Sequence, residues 1–289
     1  MITRHAFVDT AAPTITFNTP TPANGTYALN YAYVNVTVTD ASNIIDTCTL
    51  EWSGVNESMT KNSSITGTSR FCFVNKTGLS DGNFTYRVFV NDSLNNTAAD
   101  SRHFFSDDTA PAVTYVSPTD VSGANVSRTF TFINITASDA SINIANCILE
   151  WNGVNETMTM NSSISGTSRF CWVNKTPLSD GTTYTYRAFA NDTLNNTATA
   201  GTRTITIDTT APTVSLVSPT PANNTYTVNY VFVNATASDA TRNIDGCTLE
   251  WNGANESMTM NSSVVGNDRF CWVNKTSLSN ANYTYRVFA

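Results

Sequence analysis

Cys147-Ile148-Leu149-Glu150-Trp151-Asn152-Gly153-Val154-Asn155-Glu156-Thr157 is a hairpin written in sequence. Asn-Gly between two strand-like runs is the strongest two-residue hairpin signal, because both residues accept the positive φ of a type I′ turn. The same stretch returns at Cys247, with Asn252-Gly253 as the turn, and at Cys48, with Ser53-Gly54. Successive strand side chains point to opposite faces, so the turn sets the cross-strand partners. Trp52 falls opposite Val55, and Cys48 opposite Met59. One face therefore collects Cys48, Leu50, Trp52, Val55 and Met59, which predicts a core-facing hairpin. Glu57 falls opposite Leu50 on that same face, and the pattern gives no account of a carboxylate there.

Each hairpin cysteine has a second one 24 residues on, as Cys48/Cys72, Cys147/Cys171 and Cys247/Cys271. One pair per copy favours bridges within a copy, each contributing roughly 3 kcal/mol by loop-closure arithmetic. Reduced buried thiols are the alternative; a zinc site would lack both a CxxC and a nearby histidine. Further strands are predicted at Tyr33–Thr39, Phe71–Thr77, Tyr86–Val90 and Ser101–Ser106, after a linker and first strand over Ala11–Pro20. About seven short strands, a buried Trp and a crossing disulfide suit an all-β, Ig-like sandwich.

Asp9-Thr10-Ala11-Ala12-Pro13 recurs around Asp108-Thr109-Ala110-Pro111 and as Asp208-Thr209-Thr210-Ala211-Pro212, so the unit is written three times. The units are 9–106, 107–207 and 208–289, with 1–8 ahead of them. Residues Thr3, Arg4, His5, Ala6, Phe7 and Val8 match the closing run of a unit, Arg102-His103-Phe104-Phe105. The third unit stops at Arg286-Val287-Phe288-Ala289, which matches Arg187–Ala190, before its own closing run. The expectation is that residues 3–8 form a donor strand for the third unit of another copy, giving a head-to-tail homopolymer. The alternatives are a window on a longer covalent array and an open-edged monomer.

Charged residues are only 13% of the chain, with a net charge of −7. That argues against nucleic acid, which needs a basic stripe. No apolar run approaches a membrane span. Disulfides place the chain in an oxidising compartment, extracellular or at the cell surface.

Asp208–Pro219, Tyr186–Thr197, and Leu178-Ser179-Asp180-Gly181 ahead of Tyr184 and Tyr186 resemble the tandem Ig-like repeats of bacterial and archaeal cell-surface proteins. The resemblance spans essentially the whole chain and implies stalks, adhesins, or layer and filament subunits. One departure is that the cysteines lie in the Trp strand and in the strand before Tyr86, unlike antibody-type domains. Antibody-like recognition is therefore not implied.

Twenty-one Asn-X-Ser/Thr sequons are present among 35 asparagines, against roughly nine expected by chance from the acceptor rule. They are Asn24, Asn35, Asn56, Asn62, Asn75, Asn83, Asn91 and Asn95, then Asn125, Asn134, Asn155, Asn161, Asn174, Asn191 and Asn195, then Asn223, Asn234, Asn255, Asn261, Asn274 and Asn282. Many lie two residues after an aromatic: Tyr33/Asn35, Phe73/Asn75, Phe89/Asn91, Phe132/Asn134, Trp172/Asn174, Phe189/Asn191, Phe232/Asn234 and Trp272/Asn274. Residues two apart share a strand face, and the opposite parity carries Val34, Val36, Cys72, Val74, Tyr86 and Val88. The expectation is outward rings that act as platforms for covalent N-glycans. The alternative is that these rings pack on a neighbouring domain or subunit, or that the sequons were copied by duplication alone.

The two histidines, His5 and His103, are equivalent positions in the same strand type. With no triad partner or phosphate loop, no catalytic residue is assigned. Asp40, Asp92, Asp108, Asp139, Asp192 and Asp239 fall in predicted loops that could hold calcium. No EF-hand spacing supports that, so no metal ligand or other cofactor is assigned. The reading is a structural subunit of a heavily glycosylated filament. The alternatives are a stalk of a longer adhesin, or the accessory stalk of a secreted enzyme.

Overall fold

The computed structural model describes residues 2–41, 44–62, 68–161, 167–261 and 267–289. They form strands in three consecutive two-sheet sandwiches. The first contains β1 (Thr14–Phe17), β2 (Gly25–Tyr27), β3 (Tyr31–Thr39), β4 (Ile45–Trp52), β5 (Val55–Ser58), β6 (Thr60–Lys61), β7 (Ser69–Thr77), β8 (Gly82–Asp92) and β9 (Thr97–Ser106). Its sheets run β1-β3-β7-β6 and β2-β9-β8-β4-β5. All neighbours are antiparallel except β2 and β9.

The second sandwich repeats this plan. Its strands are β10 (Ala112–Val116), β11 (Ala124–Val126), β12 (Thr131–Ser138), β13 (Ile144–Trp151), β14 (Val154–Thr157), β15 (Thr159–Met160), β16 (Ser168–Lys175), β17 (Thr183–Asp192), β18 (Thr197–Thr199) and β19 (Arg203–Ile207). The third has β20 (Thr213–Val217), β21 (Val231–Ser238), β22 (Thr248–Trp251), β23 (Ala254–Ser257), β24 (Thr259–Met260), β25 (Arg269–Lys275) and β26 (Tyr285–Phe288). Its second sheet is only β23-β22-β26. Among the described residues, the strand that pairs β8 and β17 on their far side has no counterpart there, and neither have β2 and β11, which pair that strand in parallel. Tyr226 and Val228 in the matching stretch are exposed, whereas Tyr27 and Leu29 of the first sandwich are half-buried.

Period-two alternation produces the core. In β3, Ala32, Val34, Val36 and Val38 are fully buried while their neighbours face outward. Cys48–Cys72, Cys147–Cys171 and Cys247–Cys271 each join the two sheets, with Cα atoms 6.3, 6.4 and 6.3 Å apart. Beside the first bridge, Trp52 stacks on Tyr86 at 5.7 Å between ring centroids.

The hairpin register is the expected one, with Trp52 opposite Val55 and Leu50 opposite Glu57. Its burial departs from expectation at Val55, which is 69% exposed. β5 is a sheet edge, and the facing edge strand β6 spans only Thr60–Lys61, so among the described residues no strand of the facing sheet covers the turn. The same register explains Glu57. Lys76 reaches from the opposite sheet across the Trp52 ring, 5.7 Å from its centroid, and its ammonium meets Glu57 at 2.9 Å. Lys175–Glu156 and Lys275–Glu256 repeat the contact at 2.8 Å.

Candidate functional site

The outer faces of β3/β7, β12/β16 and β21/β25 carry the sequon columns. Register places each asparagine directly across from a ring on the neighbouring strand. Tyr33 opposes Asn75 and Asn35 opposes Phe73. Phe132 opposes Asn174 and Asn134 opposes Trp172. Phe232 opposes Asn274 and Asn234 opposes Trp272. The pairing two residues along one strand thus becomes a two-by-two checkerboard of rings and acceptor amides. Phe132, Trp172, Phe232 and Trp272 are exposed by 36 to 40%. In the first sandwich the two rings touch, Tyr33 stacking on Phe73 at 6.0 Å, while Trp172 and Trp272 stack on Phe170 and Phe270, two residues back on their own strands, at 5.7 Å.

Phe89 and Phe189 differ. The Arg87 and Arg187 guanidiniums lie over these rings at 4.6 and 4.8 Å. A cation already covers the face on which a sugar was expected, so these two are not open platforms.

Asn24, Asn56, Asn75, Asn83, Asn95, Asn125, Asn155, Asn174, Asn195, Asn223, Asn255, Asn274 and Asn282 are exposed. Asn35, Asn62, Asn91, Asn161, Asn191, Asn234 and Asn261 are half-buried. Asn62, Asn161 and Asn261 accept the amides of Phe71, Phe170 and Phe270 through Oδ1 at 2.9–3.0 Å. Their acceptor residues Ser64, Ser163 and Ser263 lie outside the described residues. Asn134 is buried, 9% exposed, between β10 and β16. It is the least exposed of the sequon asparagines.

Residues 2–8 form no strand here; Ile2, Phe7 and Val8 are 91, 69 and 81% exposed. On the third sandwich, β26 pairs β22 on one side only. Among the described residues no serine or cysteine hydrogen-bonds His5 or His103, and His103 is exposed on β9.

The loop carboxylates converge where the repeats join. Asp107, Asp139 and Asp192 bring carboxylate oxygens within 4.8 Å of one another, as do Asp9, Asp40 and Asp92. Asp192 closes β17, and its Oδ1 accepts the amides of Leu194 and Asn196 at 2.8 and 2.9 Å. The Asn196 side-chain amide donates to Asp192 Oδ2 at 2.8 Å and to the Asp107 carbonyl at 3.0 Å, tying the linker to the sandwich. Asn96 does the same for Asp92 and Asp9. Burial, then the Asp139 carboxylate, push the Asp107 carboxyl up to about 6. Asp108, the linker aspartate expected to matter, is exposed; its amide donates to Asp81 instead. Asp9 and Asp107 had one signal in the sequence: they hold the same offset ahead of Pro13 and Pro111 that Asp208 holds ahead of Pro212.

The profile of the family described as bacterial Ig-like domain (group 3) matches residues 166–273. No curated protein matches the chain. Similar solved structures include the titin I-band fragment I67–I69, at 10% identity and TM-score 0.49, covering 96% of this chain and 93% of that one. A bacterial ice-binding adhesin structure is 17% identical with a TM-score of 0.33, covering 92 and 88%. The N-terminal eight Ig domains of Down Syndrome Cell Adhesion Molecule are 12% identical with a TM-score of 0.31, covering 96 and 40%. Over residues 166–273 the chain is similar to bacterial Ig-like domains.

Proposed function

We propose that this chain is a glycosylated spacer of the cell exterior: disulfide-pinned Ig-like sandwiches in series, serving as the stalk of a surface protein. The observation that carries the reading is the checkerboard of rings and sequon asparagines on the same outer face of each sandwich. A sugar on Asn174 or Asn274 would lie over an apolar ring that is otherwise wet, and the coat would hinder proteases and edge pairing. Inter-sheet disulfides support an oxidising location. The test is a glycopeptide map of native material, with intact mass after deglycosylation. Bare Asn75, Asn174 and Asn274 would refute the coat. A covalent chain much larger than 31.3 kDa is the result expected for a stalk.

A second reading is supported by the edge of β26. The strand that belongs beside it resembles residues 3–8, whose Phe7 and Val8 are exposed. Inserted from another copy, that segment would build a head-to-tail filament. A discrete band of the 289-residue size, with fibres lost on deleting residues 1–8, is the outcome expected of this reading. Fibres that survive the deletion would exclude it.

A further inference from the structure

We propose that the Asp107/Asp139/Asp192 cluster binds a calcium ion where the first two sandwiches meet, and that Asp9/Asp40/Asp92 form an equivalent site at the start of the first. Three carboxylates, each less than 9% exposed, sit in one small space at the junction. Among the described residues, the donors that reach them are neutral amides: Thr109 to Asp107, Ser141 and Ile142 to Asp139, and Leu194 and Asn196 to Asp192. Those bonds use one oxygen each of Asp107 and Asp139. The other oxygen of each, Oδ2, is buried without any partner. Buried carboxylate oxygens without a donor are expensive, and like charges at this spacing repel strongly. A cation placed among them removes both costs.

The donor set selects the ion. All the groups are hard oxygens, which suit calcium or magnesium, and neither histidine lies in either cluster. Magnesium demands a near-ideal octahedron and keeps its waters, whereas calcium accepts irregular oxygen cages. The amide bonds fix the carboxylates in place beforehand, so binding orders little. Asp107 comes from the linker, while Asp139 follows β12 and Asp192 ends β17 of the second sandwich. An ion shared by all three therefore restrains the angle between successive sandwiches. The third sandwich has Asp208 and Asp239 in matching positions, with Asp208 Oδ1 buried and unpartnered. They line a pocket with Ala289.

The test uses the 289-residue chain, treated with EGTA, dialysed, and titrated calorimetrically with calcium chloride and then magnesium chloride. Two calcium ions per chain are expected, with dissociation constants on the order of 10⁻⁴ M. A rise of about 4 °C or more in melting temperature should accompany saturation. Asp107→Asn should bind one ion. In EGTA it should melt no lower than the parent, because a like charge has gone; in calcium it should melt lower. A merely structural aspartate would not reverse sign in this way. If that variant fails to fold, Asp9→Asn reads the other site by the same loss of one ion. No calcium binding by the parent chain, or equal binding of magnesium, would overturn the proposal without recourse to any variant.

Discussion

Phe132 on β12 stands directly across from Asn174 on β16, the ring and the acceptor amide sharing the outer face of the second sandwich. Directly opposed side chains have Cβ atoms about 5 Å apart, within reach of a sugar attached to the amide. Removing either member should matter only while the glycan is present. Phe132→Ala is expected to destabilise the glycosylated chain by about 0.5 kcal/mol more than the deglycosylated chain. Equal losses in both forms, measured by denaturant melts, would mean that the ring packs only on its protein neighbours.

Asn134 and Asn174 should differ in occupancy although both are sequons. Asn174 is exposed and Asn134 is buried. A glycopeptide map should find sugar on Asn174 and a bare Asn134. Full occupancy of Asn134 would require β12 to leave its present place.

The Cys147–Cys171 bridge closes a loop with a sequence separation of 24. Replacing both cysteines by Ala should cost about 3 kcal/mol, by relaxing a constraint on the unfolded chain. Urea titration of the second sandwich reads this. The Lys175–Glu156 pair is part-exposed, so Glu156→Gln should cost under about 1 kcal/mol and less in high salt.

Tyr86 and Tyr186 set an alkaline limit. Burial pushes both phenols up to about 12, and each donates to a backbone carbonyl, of Pro22 and Asp120. The unfolded chain loses these protons near pH 10 and the folded chain near pH 12. Between those values the folded state binds more protons, so stability falls as pH rises. The fall should be on the order of 2 kcal/mol or less for each tyrosine, since part of each shift is screened by solvent. Tyr186→Phe should flatten the second sandwich's decline between pH 10 and 12, as followed by chemical denaturation.

The third sandwich should open first. Its core cluster is smaller, Val287 is only half-buried, and Phe288 is 41% exposed on an edge strand. Amide exchange in Tyr285–Phe288 should outpace that in Tyr186–Phe189 at least tenfold. Equal protection would mean that another strand covers β26.

What the sequence determined by itself is whatever rests on short-range rules. The Asn152-Gly153 turn set the register of Trp151 against Val154, and period two sent Val34 and Val36 inward and Tyr33 and Asn35 outward. Pairing one cysteine with its neighbour in the same copy followed from repetition. Only tertiary structure decided what depends on distant segments arriving together. Val55 stays wet because, among the described residues, no strand of the facing sheet extends over it. Phe89 loses its platform to Arg87, two residues back on its own strand, whose reach depends on rotamer and neighbours rather than on spacing. Glu57 finds a partner because Lys76 crosses from the other sheet. Asp107 rather than Asp108 meets Asp139 and Asp192, because the direction in which the linker leaves β9 buries one carboxylate and exposes the next. A sequence pattern fixes which face a residue occupies; burial and charge density depend on what the rest of the chain places above that face.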